Sequence, residues 1–217
     1  MIDVIVSIDD REVEKKLGKL AYKAELVMRR ASNRAISTVT GSISQEVPKR
    51  YLVKAAQVRS TLRTYRANGS LPFASVVVKG RHPGLEKFYV NPMTPARRQK
   101  GGGYNPMAYE AKVKKHGGVK FLEGDNKPFV AIMDNGHIGV FRRKNDTERK
   151  HQRIFRSKYK VKKNKSRADN TIIGVYGPAI PQMVKNEEIM LIVIKKASQM
   201  MLKRAEHEIG RLLDSRG

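Results

Sequence analysis

Apolar positions along the chain set the first expectations. Ile2, Val4, Ile5, Val6 and Ile8 form a short apolar run that predicts a strand. Asp9-Asp10 then offer an N-cap, with Glu12 in the first turn. Beyond them Val13, Leu17, Leu20, Ala24, Val27, Met28, Ala31, Ala35, Val39 and Ile43 recur at mostly helical spacing. This stripe predicts a long amphipathic helix that stops before Pro48. Gly18 and Gly41 each weaken it by about 1 kcal/mol relative to Ala, and a bend is expected near Gly41. Ser32, Asn33, Ser37, Thr38, Thr40, Ser42 and Ser44 weaken its second half further.

The middle of the chain changes period. After a turn at Pro48–Tyr51 and a short helix over Lys54–Leu62, the β-branched run Phe73–Gly80 is the clearest strand. Leu85–Val90, Tyr109–Lys115, Val119–Leu122, Phe129–Met133 and His137–Arg143 are further short strand candidates. Turn residues separate them at regular spacing, the pattern of an antiparallel meander. Asn135-Gly136 predicts a two-residue hairpin turn, and His116-Gly117-Gly118 a second hairpin. Residues 92–107, with three consecutive glycines, read as a flexible loop. The glycines lack P-loop spacing and the Lys-Ser/Thr ending.

Ile172–Tyr176 is strand-like, and Gly177-Pro178-Ala179-Ile180-Pro181 breaks it. Pro178 and Pro181 each fix φ and remove an N–H donor, so with Gly177 they form a rigid corner before the final helix. Asn186, Glu187 and Glu188 mark the true start of that helix, and Ile189, Ile192, Val193, Ala197, Met200, Leu202, Ala205, Ile209, Leu212 and Leu213 give its sticky face. The sum is a single α+β domain over residues 1–217. It holds a small antiparallel sheet or partial barrel flanked by long N- and C-terminal helices, with basic excursions near 92–107 and 142–170.

Charge adds the next constraint. The 217 residues carry 45 Lys+Arg against 20 Asp+Glu, a formal net charge of +25. Residues 97–167 alone hold 21 basic and 6 acidic groups, whereas residues 168–217 hold 7 and 6. A surface this one-sided repels itself unless it meets a polyanion or an acidic partner; basic surface as a mere aid to solubility is the plainer alternative. The contact residues expected for nucleic acid or an acidic partner are Arg97, Arg98, Lys100, Arg142, Arg143, Lys144, Arg149, Lys150, Arg153, Arg156, Lys158, Lys160, Lys162, Lys163, Lys165 and Arg167. Tyr104, Tyr109, Phe141, Phe155 and Tyr159 lie among them and suit base stacking. No helix-turn-helix, zinc-finger, RRM or KH signature accompanies them, so any binding reads backbone rather than sequence.

Other chemistry finds little support. The chain has no Cys, which excludes disulfides and thiolate metal sites and fits a reducing compartment. The five histidines (82, 116, 137, 151 and 207) lack metal-ligand spacing, and His207 between Glu206 and Glu208 reads as a solvated face. No nucleophile elbow or paired carboxylates stand out, so neither an enzyme nor a cofactor is expected. No apolar run is long enough to span a membrane, and the N-terminus lacks a basic signal-peptide region.

The order of Asn33-Arg34-Ala35, Val47-Pro48-Lys49-Arg50-Tyr51, Gly139-Val140-Phe141-Arg142-Arg143 and Tyr176-Gly177-Pro178-Ala179-Ile180-Pro181-Gln182-Met183 resembles the phage minor tail protein Z family. The corner at 176–183 carries most of that resemblance, which covers nearly the whole chain. The Arg142–Arg167 stretch is longer and more basic than the family pattern. The resemblance implies a structural virion protein near the head-proximal end of the tail, completing the tail and joining its tube to the neck. It implies a homo-oligomeric ring, with six copies as one option, and tail-tube, tail-terminator or neck proteins as neighbours. Viral DNA is a further partner, and the host cytoplasm is the place of assembly. It implies no catalytic residues. A free, sequence-non-specific nucleic-acid-binding protein is the alternative, with a basic nuclease third.

Overall fold

A computed structural model describes residues 2–6, 10–69, 71, 73–123, 127–149 and 172–214. It is α+β, with long helices toward both ends and small antiparallel sheets. The chain divides into two compact units, Met1–Arg81 with Pro178–Gly217, and His82–Gly177.

The first unit is a helical layer on a three-stranded sheet. Strand β3 (Ala74–Val78) lies between β1 (Ile2–Val6) and β2 (Leu62–Tyr65), antiparallel to both, with Val76 opposite Val4 and Thr64. Ala74, Val76 and Val78 point to one side and are fully buried, as period-two alternation requires.

The expected N-terminal helix exists, but its break falls at Gly18 rather than Gly41. Helix α1 (Asp10–Leu17) ends there, Gly18 takes φ 53°, and a 3-10 segment (Gly18–Lys23) leads into α2 (Ala24–Arg50). Only glycine reaches that left-handed φ without strain, whereas Gly41 sits in ordinary helix. Helix α2 also runs past Pro48 to Arg50, because a missing N–H in the last turn costs only one hydrogen bond. Packing explains why its polar second half stays helical. Ile36, Val39, Ile43 and Val47 are fully buried, and the hydroxyls of Thr40 and Ser44 donate to the carbonyls of Ile36 and Thr40.

Beyond α3 (Ala55–Ser60), the remaining helices of this unit are short α4 (Ile180–Val184) and long α5 (Glu187–Asp214). Pro181 sits in the first turn of α4, where no N–H is needed. Asn186 starts α5 as expected: its side-chain oxygen accepts from the Ile189 N–H at 3.4 Å. Helices α2 and α5 pack antiparallel, as shown by Arg30–Glu208 at one end and Lys196–Glu46 toward the other.

The second unit divides the expected meander among separate small sheets. Strands β4 (Tyr89–Asn91), β7 (Glu110–Lys112) and β8 (Lys120–Phe121) form one, in the order β4-β7-β8. Strands β9 (Phe129–Ile132), β10 (Ile138–Arg143) and β11 (Ile172–Gly174) form another, with β10 central. Leu85–Val90 is not one strand, since a 3-10 turn (Leu85–Lys87) takes its first half.

Both predicted hairpins form, with altered turns. Strand β7 pairs with β8 through Glu110–Phe121, which leaves a wider loop than Lys115–Val119. The β9–β10 turn has three residues, not two. Met133 N–H donates to His137 C=O, Gly136 N–H donates to Met133 C=O, both at 2.8 Å, and Gly136 has φ 77°. This is a type I turn closed by a left-handed glycine bulge, so Asp134 joins Asn135-Gly136 in the loop.

Candidate nucleic-acid interface

The basic residues predicted as contacts fall into three groups. Arg97 and Arg98 form strand β5 (Arg97–Arg98), paired with β6 (Tyr104–Asn105). The glycine run closes a tight hairpin here: Gln99 N–H donates to Gly103 C=O, and Gly102 and Gly103 take φ 88° and 81°. Arg97, Arg98 and Lys100 are all exposed on this hairpin.

Arg142, Arg143, Lys144 and Arg149 lie at the end of β10 and just beyond it. Arg142 holds Glu148 through both guanidinium nitrogens, at 2.5 and 2.9 Å. Glu148 also accepts the Asn145 N–H. Arg149 lies 3.8 Å from Asp146. Much of the positive charge here is therefore engaged locally, while Arg143 is exposed beside an apolar cleft of about 680 Å³ that Tyr109 and Phe129 also line. Lys150, Arg153, Arg156, Lys158, Lys160, Lys162, Lys163, Lys165 and Arg167 lie outside the described residues, as do Phe155 and Tyr159.

Tyr109 is not available for stacking. It is buried, its hydroxyl donates to the Thr94 carbonyl at 2.9 Å, and burial pushes its phenol above the usual range. Alternation explains why: Tyr109 and Ala111 bracket Glu110 at the start of β7 and share its inward side.

The Arg142 guanidinium, with the Asn145 backbone N–H, pulls the Glu148 carboxyl down to about 2. A depressed carboxylate adds stability above its unfolded pKa and loses it as pH falls through the folded one. The contribution is thus present above about pH 4.5 and fades toward pH 2. Carboxyl-detected NMR titration is expected to place Glu148 near 2, and Arg142→Ala to return it toward the ordinary glutamate range.

A cluster of five arginines was not among the sites expected. It belongs to the first unit and centres on Glu208. Its side chain is 1% exposed and meets Arg204 at 2.5 Å, Arg30 at 2.8 Å and Arg211 at 3.0 Å. His207 and Glu206 are exposed, as expected of a solvated face, whereas their neighbour Glu208 turns inward. Arg30, Asn33, Arg34, Ser37, Arg66, Arg204, Glu208 and Arg211 line an open cleft of about 670 Å³. The spacing Arg204–Glu208–Arg211 hinted at a local ion-pair ridge. Nothing local pointed to Arg30, Arg34 or Arg66, which arrive only through the packing of α2 and the loop after β2.

A second buried carboxylate, Glu46, ties α2 to α5. It lies 2.9 Å from both Lys196 and Lys49, and these hydrogen bonds, Lys196 first, hold its pKa below the usual range. Among the described residues no group of three or more His, Asp or Glu side chains could hold a metal ion. No described helix is long and apolar enough to cross a membrane. No protein-family model, curated protein or solved structure matches this chain.

Proposed function

We propose that this chain is a structural subunit of a phage tail, completing the head-proximal end of the tail tube and joining it to the neck as a ring of identical copies around the DNA. The supporting observation is the outer side of α5. Helix α5 buries Ile189, Val193, Ala197, Met201 and Ala205, yet Leu191, Ile194, Leu202 and Leu213 are 68%, 49%, 48% and 46% exposed. Four large aliphatic side chains on one exposed side favour a protein partner. A second copy suits these four uncharged side chains, which Lys195 and Glu206 flank, while the strongly basic remainder of the chain would meet DNA or acidic neighbours.

Salt separates this reading from a free nucleic-acid binder. Concentrated salt shortens the Debye length to about 3 Å at 1 M, which removes self-repulsion between cationic copies while apolar contacts persist. Light scattering coupled to sizing of the purified chain in high salt is expected to give an oligomer. Leu191→Glu with Ile194→Glu is expected to give a monomer of unchanged helical circular dichroism. A wild-type monomer at every concentration, together with absence from purified virions, overturns the proposal and favours the free binder.

A further inference from the structure

We infer that the arginine cleft beside Glu208 binds the phosphodiester backbone of a nucleic acid. Two helical ridges and one loop build it. Arg30, Arg34 and Ser37 follow one another at i,i+4 and i,i+3 spacing on α2, and Arg204, Glu208 and Arg211 do the same on α5. Arg66 comes from the segment after β2. Its position is set by Asn33, whose side-chain oxygen accepts the Ala67 N–H at 2.8 Å and whose amide donates to the Ala67 carbonyl at 3.0 Å. This two-sided clamp anchors the backbone next to Arg66, which lines the same cleft as Arg34.

Charge counting shows why the site asks for an anion. Five guanidinium groups surround one carboxylate, leaving a formal net charge of +4. Glu208 already shares its two oxygens among Arg30, Arg204 and Arg211. Arg34 and Arg66 are exposed, and neither has an ion-pair partner among the described residues. Like charges held this close raise the energy of the empty cleft, and an arriving polyanion relieves it.

The type of cation narrows the ligand. Every cation lining the cleft is arginine, although the chain is also rich in lysine. Guanidinium forks match the paired oxygens of a phosphate and hold them bidentately, which a lysine ammonium does not. A carboxylate partner fits the forks as well, but this chain has few acidic residues to offer from another copy. A nucleic-acid strand supplies a row of fully ionised phosphates, and an open cleft of about 670 Å³ admits such a row from the side. No aromatic side chain lines the cleft, so recognition is of backbone and not of bases.

The inference concerns the first unit alone and does not depend on ring formation. Its test is fluorescence anisotropy of the full chain with a short labelled DNA duplex across 50 to 200 mM salt. Arg34→Ala with Arg66→Ala removes two exposed charges and leaves the Glu208 ion pairs in place. Binding is expected to weaken at least tenfold at the low-salt end, and the slope of log K against log salt to fall by about 2. Arg34→Lys with Arg66→Lys keeps charge but loses the fork, and an intermediate loss is expected. The control is Lys114→Ala with Lys115→Ala, two exposed lysines of the second unit, expected to change binding less. Equal losses in the two alanine pairs, wild-type binding in the arginine pair, or capture of polyglutamate but not DNA by the same arginines overturns the inference. Matching thermal melts confirm that the variants are folded.

Discussion

Truncation of Ile43 to alanine is expected to lower the unfolding free energy by about 2–5 kcal/mol. Ile43 is fully buried on α2, the helix against which α1, α3, α5 and β3 of the first unit all pack. The loss has two parts, the transfer free energy of the removed methyl groups and a cavity that long packed helices close poorly. Guanidinium denaturation followed by circular dichroism should show a lower midpoint with an unchanged slope. Ile194→Ala, on the exposed side of α5, is the matched comparison and is expected to stay within about 0.5 kcal/mol for the monomer. A similar loss at both positions would mean that α2 is not the centre of the core.

The second large effect is expected at Gly177. A Cβ there would lie inside the contact distance of the Phe88 ring, 2.8 Å from Cζ and closer still to Cε2. The ring has no free direction, since Phe88 is only 9% exposed. The backbone is also held: Gly177 N–H donates to the Pro83 carbonyl at 2.9 Å, and its own carbonyl lies 3.0 Å from His82 Nδ1. Gly177→Ala therefore forces a buried aromatic or a bonded backbone to move, at a cost of about 1–3 kcal/mol. Thermal melts of Gly177→Ala in the wild-type and Phe88→Leu backgrounds provide the check. The glycine substitution is expected to be much milder once the ring is smaller, and additive losses would rule out the steric explanation.

These two positions also divide what could be read in advance from what could not. The periodicity of Val27, Ala31, Ala35, Val39 and Ile43 announced a core helix, and Asn186-Glu187-Glu188 announced the start of α5, because both signals are local. The corner at Gly177, Pro178 and Pro181 was legible as a break for the same reason. Its requirement for glycine was not, since Phe88 lies far away in sequence. Break points were misplaced when propensity was weighed alone. Gly41 and Pro48 are poor helix residues, but a helix with a long buried face tolerates them, and Gly18 at the exposed start does not stay helical.

Candidate sites divide along the same line. Net positive charge, helical periods and turn glycines can be read along the chain, because composition and nearest-neighbour sterics carry that information. Which arginines act together depends on how distant segments pack. Arg30 and Arg34 are separated from Arg204 and Arg211 by most of the chain, and they line one cleft with Glu208 because two apolar stripes bury each other antiparallel. A charge has no period that declares its distant partner, so the packing of uncharged side chains settled where the charges meet.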